Sequence, residues 1–451
     1  MKIIIVGCGK VGLTLATQLT KENHNVTVID KSYNKLRRVA DSIDVMCIEG
    51  DGISSDTLME AGIDTADILI ATTESDEKNV MCTLVAKQLG TCQAIARIRT
   101  STYVDEIRKI KDQLNMAIVL NPDKSAAAEI NKLVAYPSSV KRIDSFARGR
   151  VNVVAVTLPE DTALEGHRIR DISRVSKANI LICAIERDGD VIIPDGNSIL
   201  HGGDTISFVG LHTQQNLFFK ELKMTTGLPK SVMIIGGSNI AYYLAKALEA
   251  TTNVKIIDVD IDRCKELSSM LDKTTIINGD ASDQQLLLEE GIESTDAVVT
   301  LTGIDEENIM ISLYASSVSD ARVITKINRI TFENIISSLD IGSVVNPKVI
   351  TADHITQYVR GMQNSLGSNV ETLYTFASGE AEALEFRVKD EFDMLNTPIM
   401  NLELKPNLLI ACIYRNGRVI VPGGHDTLQI DDAVIIVTTQ TGLNDLNDIL
   451  L

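Results

Sequence analysis

Gly7, Gly9 and Gly12 follow the apolar run Ile3–Val6, and Asp30 closes the next apolar run, Val26–Ile29. The segment Gly7-Cys8-Gly9-Lys10-Val11-Gly12 fits G-x-G-x-x-G between a strand and a helix. In that pattern the first glycine permits a tight turn and the second removes a Cβ that would block phosphates. The third lets the helix approach the sheet, so that a pyrophosphate meets the helix N-terminus. Asp30 lies 18 residues beyond Gly12, placed to accept hydrogen bonds from ribose hydroxyls. These residues predict nucleotide binding. The blander alternative is a glycine turn kept for packing, with Asp30 as a solvated turn residue.

The pattern returns in the second half of the chain. Val232–Ile235 leads into Gly236-Gly237-Ser238-Asn239-Ile240-Ala241, and Val254–Ile257 ends on Asp258. Gly50-Asp51 matches Gly279-Asp280, Gly62-Ile63 matches Gly291-Ile292, and Asp76–Asn79 matches Asp305–Asn308, all 229 residues apart. The second loop keeps the first glycine but has Ser238 and Ala241 in place of the other two. Ser238 puts a side chain where phosphate should approach, although its hydroxyl can also donate to one. A working second site and a purely structural domain therefore both stay open.

Other polar groups follow strand ends, where an open α/β sheet forms its ligand crevice. Asp51 follows the third strand, Thr72 and Thr73 the fourth, and Arg97 and Arg99 the fifth. Arg97, planar and always charged, reads either as a phosphate contact or as a surface ion pair. Lys326 and Asn328 stand at the matching places of the second copy.

Arrangements for catalysis are missing from the pattern. The six histidines form no HxH or HExxH motif and none recurs at an equivalent place, His201 aligning with Gln429. The carboxylate runs Glu74–Glu77 and Asp305–Glu307 read as solvated helix starts and not as acid–base pairs. No P-loop GKS/T occurs, which argues against ordinary ATP hydrolysis. No metal site is assigned.

Composition narrows the partners. The net charge of −18 argues against nucleic acid, which needs clustered Lys and Arg, and 4% aromatic residues with no Trp offer little for base stacking. No stretch approaches the ~18–20 apolar residues of a membrane span, so no direct membrane insertion is expected. Met1-Lys2-Ile3 reads as the start of a strand and not as a signal peptide. Seven cysteines, an odd number without CxxC, fit a reducing cytoplasm.

The elements that must position these residues read as an α/β chain. Near-continuous apolar runs alternating with helical stretches predict a doubly wound parallel sheet over the first ~120 residues. Asn121-Pro122-Asp123-Lys124-Ser125 then punctuates, with Asp123 or Ser125 as the expected cap of a helix reaching about Val134. Beyond it the texture changes to short strand-like segments (Val151–Leu158, Leu181–Glu186, Val191–Pro194, Asp204–Val209), with Asp188-Gly189 as a hairpin signal. Lys177–Gly196 recurs as Lys405–Gly424. The expected order is two Rossmann-like doubly wound parallel-sheet domains, each followed by a small α+β C-subdomain. The boundaries are 1–136, 137–226, 227–360 and 361–451, with breaks near 137–145, 224–230 and 360–372.

The Gly7–Gly12 hairpin, Asp30, Gly50-Asp51, Gly62-Ile63 with Asp67, Asp76–Asn79 and Arg97-Ile98-Arg99 together resemble the regulator-of-potassium-conductance (RCK or KTN) domain. Gly189–Pro194 and Gly417–Pro422 are similar to its partner C-subdomain, and the tandem layout is similar to the Trk potassium-uptake regulators. The resemblance implies a cytosolic, ring-forming subunit, a homotetramer, that binds NAD(H) and ATP or ADP. It would gate a Trk-type potassium channel or transporter membrane subunit, sitting peripherally on the inner face of the cell membrane through that partner. Carried over by position, Gly7, Cys8, Gly9, Lys10 and Val11 would hold phosphates and Asp30 the ribose, with Gly12 closing the cofactor loop. Asp51, Thr72 and Thr73 would line the crevice with Arg97 on phosphate. Gly236, Gly237, Ser238, Asn239, Ile240 and Asp258 would form the second site. The competing class is an NAD-dependent oxidoreductase, but the appended unit carries no proton donor in register.

Overall fold

In the computed structural model, residues 1–110, 114, 116–224, 227–329, 336, 339–364, 370–376, 380–440 and 442–451 are described. The apolar runs of the first half become β1 (Lys2–Val6), β2 (Asn25–Asp30), β3 (Met46–Glu49), β4 (Ile68–Ala71), β5 (Gln93–Arg97) and β6 (Ile118–Leu120). They pair in the order β3-β2-β1-β4-β5-β6, and every pair is parallel. Helices α1 (Lys10–Lys21), α2 (Tyr33–Ala40), α3 (Ser55–Glu60), α4 (Asp76–Leu89), α5 (Ser101–Ile110) and α6 (Pro122–Val134) connect them. Ile3, Ile4, Ile5, Ile68, Leu69 and Ile70 are all buried. Strands covered on both faces have no solvent face and so no polar alternation. The strand order reverses between β1 and β4, and the crevice at that switch point is where such sheets bind ligands.

An antiparallel unit follows: β7 (Val140–Phe146), β8 (Val151–Thr157), β9 (Ile180–Arg187), β10 (Asp190–Ile192), β11 (Thr205–Gly210) and α7 (His212–Glu221), with strands in the order β10-β9-β11-β8-β7. The hairpin read at Asp188-Gly189 joins β9 to β10 with φ of 54° and 91°, the two positive values that a twist-matched two-residue turn requires. Asn416-Gly417 does the same at 48° and 82° in the second copy. Arg187 holds the buried Asp204 through two 2.7 Å bonds, and Arg415 holds Asp432 identically.

The third sheet repeats the first: β12 (Ser231–Ile235), β13 (Asn253–Asp258), β14 (Thr275–Asn278), β15 (Ala297–Thr300), β16 (Arg322–Lys326) and β17 (Ser343–Val345), in the order β14-β13-β12-β15-β16-β17. Its described helices are α8 (Asn239–Leu248), α9 (Ile261–Met270), α10 (Gln284–Glu289), α11 (Asp305–Val318) and α12 (Pro347–Asn364). The fourth sheet repeats the second, with β18 (Val370–Phe376), β19 (Ala381–Arg387), β20 (Leu408–Arg415), β21 (Arg418–Ile420) and β22 (Ala433–Thr438) in the order β18-β19-β22-β20-β21.

Compactness divides the chain into two units: residues 1–129 with 346–359, and residues 130–345 with 360–451. In the first unit Gln18 on α1 donates to Asp353 on α12 at 2.9 Å and accepts from Thr356 at 3.2 Å. A helix that follows the second parallel sheet in sequence thus completes the first. In the second unit the two antiparallel sheets share one core in which Phe146, Cys183 and Ala184 meet Ala383, Ala411 and Cys412. Small residues at such a face let two sheets approach closely. Tyr374 spans the joint, its hydroxyl donating to the Ser145 carbonyl at 3.1 Å.

Three local readings need correction. The cap of α6 is Asn121, neither Asp123 nor Ser125: its Oδ1 accepts from the Lys124 amide at 2.8 Å. Pro122 fixes the first helical position and forces the preceding residue out of helical geometry, which makes Asn121 the cap. Asn346 before Pro347 does likewise. Second, β7 occupies the stretch read as a break at 137–145, and β18 begins inside the one read at 360–372. Residues 365–369 of that break, and 225 and 226 of the junction 224–230, lie outside the described residues. Third, the helix starts at Asp76 and Asp305 are buried, for the reason given below.

One stability prediction belongs to the small sheets. Burial raises the Asp204 carboxyl, but the Arg187 guanidinium and the His201 amide more than offset this and leave it below the usual range. A lowered carboxyl stabilises the fold fully above its unfolded pKa of about 4, and that contribution is lost as pH falls through the folded value. Asp204→Ala should cost about 2–3 kcal/mol at pH 7 in urea denaturation. That is less than for a fully buried pair, because Arg187 is partly exposed. The cost should shrink in strong acid; a pH-independent cost would contradict this assignment.

Candidate functional site

The loop between β1 and α1 is built for close approach. Gly7 has φ +102°, and a Cβ there would meet the backbone of Thr72 and Thr73 at 2.9 Å. A Cβ on Gly12 would lie 2.0 Å from the Gly7 carbonyl oxygen. A Cβ on Gly9 would meet nothing within 4 Å. Gly7 and Gly12 are therefore required by the fold, while Gly9 opens onto free space. Gly9 also caps α1 without a side-chain bond, and no acid sits in the helix's first turn. The first-turn amides and the positive end of the helix are left for an anion. Lys10 is exposed at that end, while Val11 and Cys8 are buried beneath it. Burial, with Asp30 adding to it, pushes the Cys8 thiol up to about 11, so it stays neutral and is no nucleophile here.

Asp30 is tied into this loop. One carboxylate oxygen accepts from the Cys8 amide at 2.7 Å and the other from the Ser32 amide at 2.9 Å. Each oxygen has a second lone pair, so the geometry leaves acceptor capacity for a ribose hydroxyl. Thr72 turns its hydroxyl onto the carbonyls of Val6 and Gly7, and Thr73 turns its own onto Asn79 at 2.7 Å. Asp51 takes a 2.6 Å ion pair from Lys31 on the neighbouring strand end, and this bond holds its carboxyl below the usual range.

Arg97 donates through Nη2 to the Thr73 carbonyl at 2.8 Å. Its Nε is buried without a hydrogen-bond partner, and no carboxylate among the described residues lies within ion-pair distance. Burial, with Arg99 beside it, pushes the guanidinium pKa down. Arg97 therefore makes no ion pair among the described residues, and the carboxylates of Asp76, Asp123 and Glu74 act on it only from beyond ion-pair distance and offset its desolvation in part. Contacts thus run continuously from Arg97 through Thr73 and Gly7 to Cys8 and Asp30, which brings together Gly7, Cys8, Gly9, Asp30, Thr72, Thr73 and Arg97.

Asp76 and Asn79 are the braces that local sequence reasoning misread. Asp76 is only 7% exposed and accepts from the Arg99 and Thr100 amides at 2.9 and 2.8 Å. Asn79, fully buried, accepts from the Thr73 amide and donates to the carbonyls of Thr73 and Arg97. Together they clamp the ends of β4 and β5. Asp305 and Asn308 repeat every one of these roles in the third sheet. The signal was present, since both pairs align between copies, but a run of carboxylates looks solvated until partners some 23 residues away are known.

The second loop keeps the turn and closes the opening. Gly236 has φ +96°, and Asp258 accepts from the Gly237 and Asp260 amides at 2.5 and 2.8 Å. Ser238, at the place of Gly9, caps α8 by accepting from the Ala241 amide at 3.3 Å. Arg263 lies across the loop, donating to the Gly237 carbonyl at 2.5 Å and to the Asn239 side chain at 3.1 Å. Ile240 is buried behind it. Where the first loop leaves its first-turn amides without a side-chain cap, the second spends one, the Ala241 amide, on Ser238, and Arg263 occupies the Gly237 and Asn239 oxygens. No group of residues able to hold a metal ion occurs among the described residues.

Two parallel sheets with glycine loops at their switch points, each followed by a small antiparallel unit, define a tandem dinucleotide-fold protein with the RCK architecture. The TrkA-N domain family matches residues 3–122 and 232–347, and the TrkA-C domain family matches residues 153–223. The Trk system potassium uptake protein TrkA of Haemophilus influenzae is 33% identical over 443 residues, 97% of this chain and 95% of that one. The TrkA homolog of Archaeoglobus fulgidus is 29% identical over 97% of each chain. Among solved structures, the GsuK RCK domain superposes with a TM-score of 0.61 at 16% identity, over 97% of this chain and 92% of that one. The GsuK channel bound to NAD does so with a TM-score of 0.59 at 17% identity, over 97% and 77%. The chain belongs to the TrkA family.

Proposed function

We propose that the chain is the nucleotide-sensing regulatory subunit of a Trk-type potassium channel or transporter, and not an enzyme. It works in the cytoplasm, docked peripherally on its membrane partner, as a ring that is a homotetramer. The observation that carries this reading is the open space above Gly9 at the uncapped N-terminus of α1, on a loop that Asp30 ties down through the Cys8 amide and that Arg97 adjoins through Thr73. Those groups fit a dinucleotide. The first-turn amides and Arg97 would hold its phosphates, Asp30 its ribose, and Asp51 and Thr73 the rim of the crevice. NAD(H) and ATP or ADP are the ligands of this class, and a related fold with NAD bound and relatives in potassium uptake support the choice. The bound nucleotide would supply no chemistry, only differential affinity for two arrangements of the ring. A ligand that binds both states equally shifts nothing.

In this account the first loop is the main sensor. The second, with Ser238 capping the Ala241 amide and Arg263 lying across the loop, is a weaker or structural copy. The antiparallel units at 137–226 and 361–451 contribute assembly or regulation. The test is co-expression with a Trk-type membrane subunit in a strain that lacks its own regulator. The chain should co-purify with that subunit and restore growth on limiting potassium. Failure to do either, with turnover of NADH by small acids or aldehydes, would instead establish the oxidoreductase alternative.

A further inference from the structure

A cavity of about 510 Å³ lies within the second unit, away from that unit's Gly236–Ala241 loop. Its walls come from three places: the segment that enters β7, the residues just after α7, and the edge of the third sheet where α11 ends and β16 and β17 begin. The crevice of that sheet lies at the opposite, carboxyl ends of its strands, so this cavity is a separate feature.

Four charged residues line it: Arg322, Lys223, Asp320 and Asp340. None of the four forms an ion pair within 4 Å with another described residue, although Lys141 feels the Asp340 carboxylate and Arg322 that of Asp296 from farther away. Arg322 is the floor. It is 5% exposed, its Nη1 donates to the carbonyls of Val134 at 2.6 Å and Gly227 at 2.7 Å, and its Nε has no hydrogen-bond partner. Lys223, Asp320 and Asp340 are exposed around it, and Ser138 and Ser316 line the same space. A buried cation left short of partners is costly, and a protein retains one where something else completes it.

The charge pattern selects the ligand. A dianion would set one charge against Arg322 and another against the two carboxylates. A dication would meet Arg322 and Lys223. Only a molecule with both signs meets complementary groups throughout, and the volume suits one of amino-acid or dipeptide size. We propose that this cavity is a binding site for a small zwitterion, whose carboxylate meets Arg322 and Lys223 and whose ammonium meets Asp320 and Asp340. Because the site joins both ends of the first antiparallel unit to the third sheet, an occupant braces that unit against the second half of the chain. The site gives the protein a second input, independent of the glycine loop.

The test uses the full chain and a thermal-melting titration with neutral L-amino acids, glycylglycine, succinate and putrescine at matched ionic strength. At least one zwitterion should raise the melting temperature in a saturable way, while succinate and putrescine should not. Lys223→Gln and Asp340→Asn, both at exposed positions, should leave the unliganded melting unchanged and weaken that zwitterion about tenfold each, with the response to NADH intact. Silence from every zwitterion, an equal response in both variants, or a stronger response to succinate would each overturn the assignment.

Discussion

Gly9→Val should lower the melting of the unliganded protein only slightly, by the modest cost of valine at a helix cap, and remove most of the stabilisation that NADH or ATP confers on the first unit. The effect is steric. Gly9 is extended, with φ −70°, so a side chain is allowed there, and nothing in the protein stands within 4 Å of its Cβ direction. Two added methyl groups would fill the space in front of the α1 amides without straining the fold. Saturation at 100 times Kd adds about 2.7 kcal/mol, which for a unit of this size is a shift of roughly 5–10 °C. Blocking phosphate approach should weaken binding at least ~100-fold and erase that shift. Differential scanning calorimetry with and without ligand reads both halves of the prediction, and any residual shift measures the second loop. Asp30→Ala is a poorer probe, because it also strips acceptors from the Cys8 and Ser32 amides and so confuses recognition with loop collapse.

Asn79→Ala should be the most damaging single change outside the hydrophobic core of the first unit. Its side chain is fully buried and makes four bonds, two to Thr73 as acceptor and one each to the carbonyls of Thr73 and Arg97 as donor. Removing it strands several backbone groups that alanine cannot satisfy, at about 1–3 kcal/mol for each one left unpaired in the interior. A loss of about 3 kcal/mol or more is expected. It should appear locally as faster amide hydrogen exchange at the ends of β4 and β5, with the second unit unaffected. Arg97 should lose its fixed position along with Thr73, so nucleotide affinity should fall too. Protection factors and affinity equal to those of the parent would show that the clamp is dispensable.

What the sequence made legible follows from how local each signal is. The parallel strands announced themselves as continuous apolar runs, because both faces of those sheets are covered. The glycine loop was legible because positive φ at Gly7 and the crowding at Gly12 admit no other residue without rearrangement. The small antiparallel sheets were legible through Asp188-Gly189 and its counterpart Asn416-Gly417, whose turn chemistry is equally local. The edge strands β7 and β18 were missed because their pattern mixes charge into the alternation, as with Lys141, Arg142 and Asp144. The Asn121 cap was within reach, since Pro122 dictates it, but the acids after the proline drew attention away. Longer-range facts left no local trace. Nothing near Gln18 foretells its bond to Asp353, and nothing near Asp76 foretells that its carboxylate serves two amides beyond β5. The bond from Arg97 to the Thr73 carbonyl, made in place of an ion pair, is likewise a property of the folded crevice: its sequence neighbours would equally have suited a surface ion pair.

Among all these measurements, nucleotide-dependent potassium flux into liposomes bears most directly on the central claim. The chain would be reconstituted with its Trk-type membrane subunit and compared with its Gly9→Val variant. The account predicts that NADH or ATP changes flux through the parent complex severalfold, and that the variant assembles on the membrane subunit but no longer responds. Flux that is the same with and without nucleotide, or a Gly9→Val complex that responds like the parent, would contradict it.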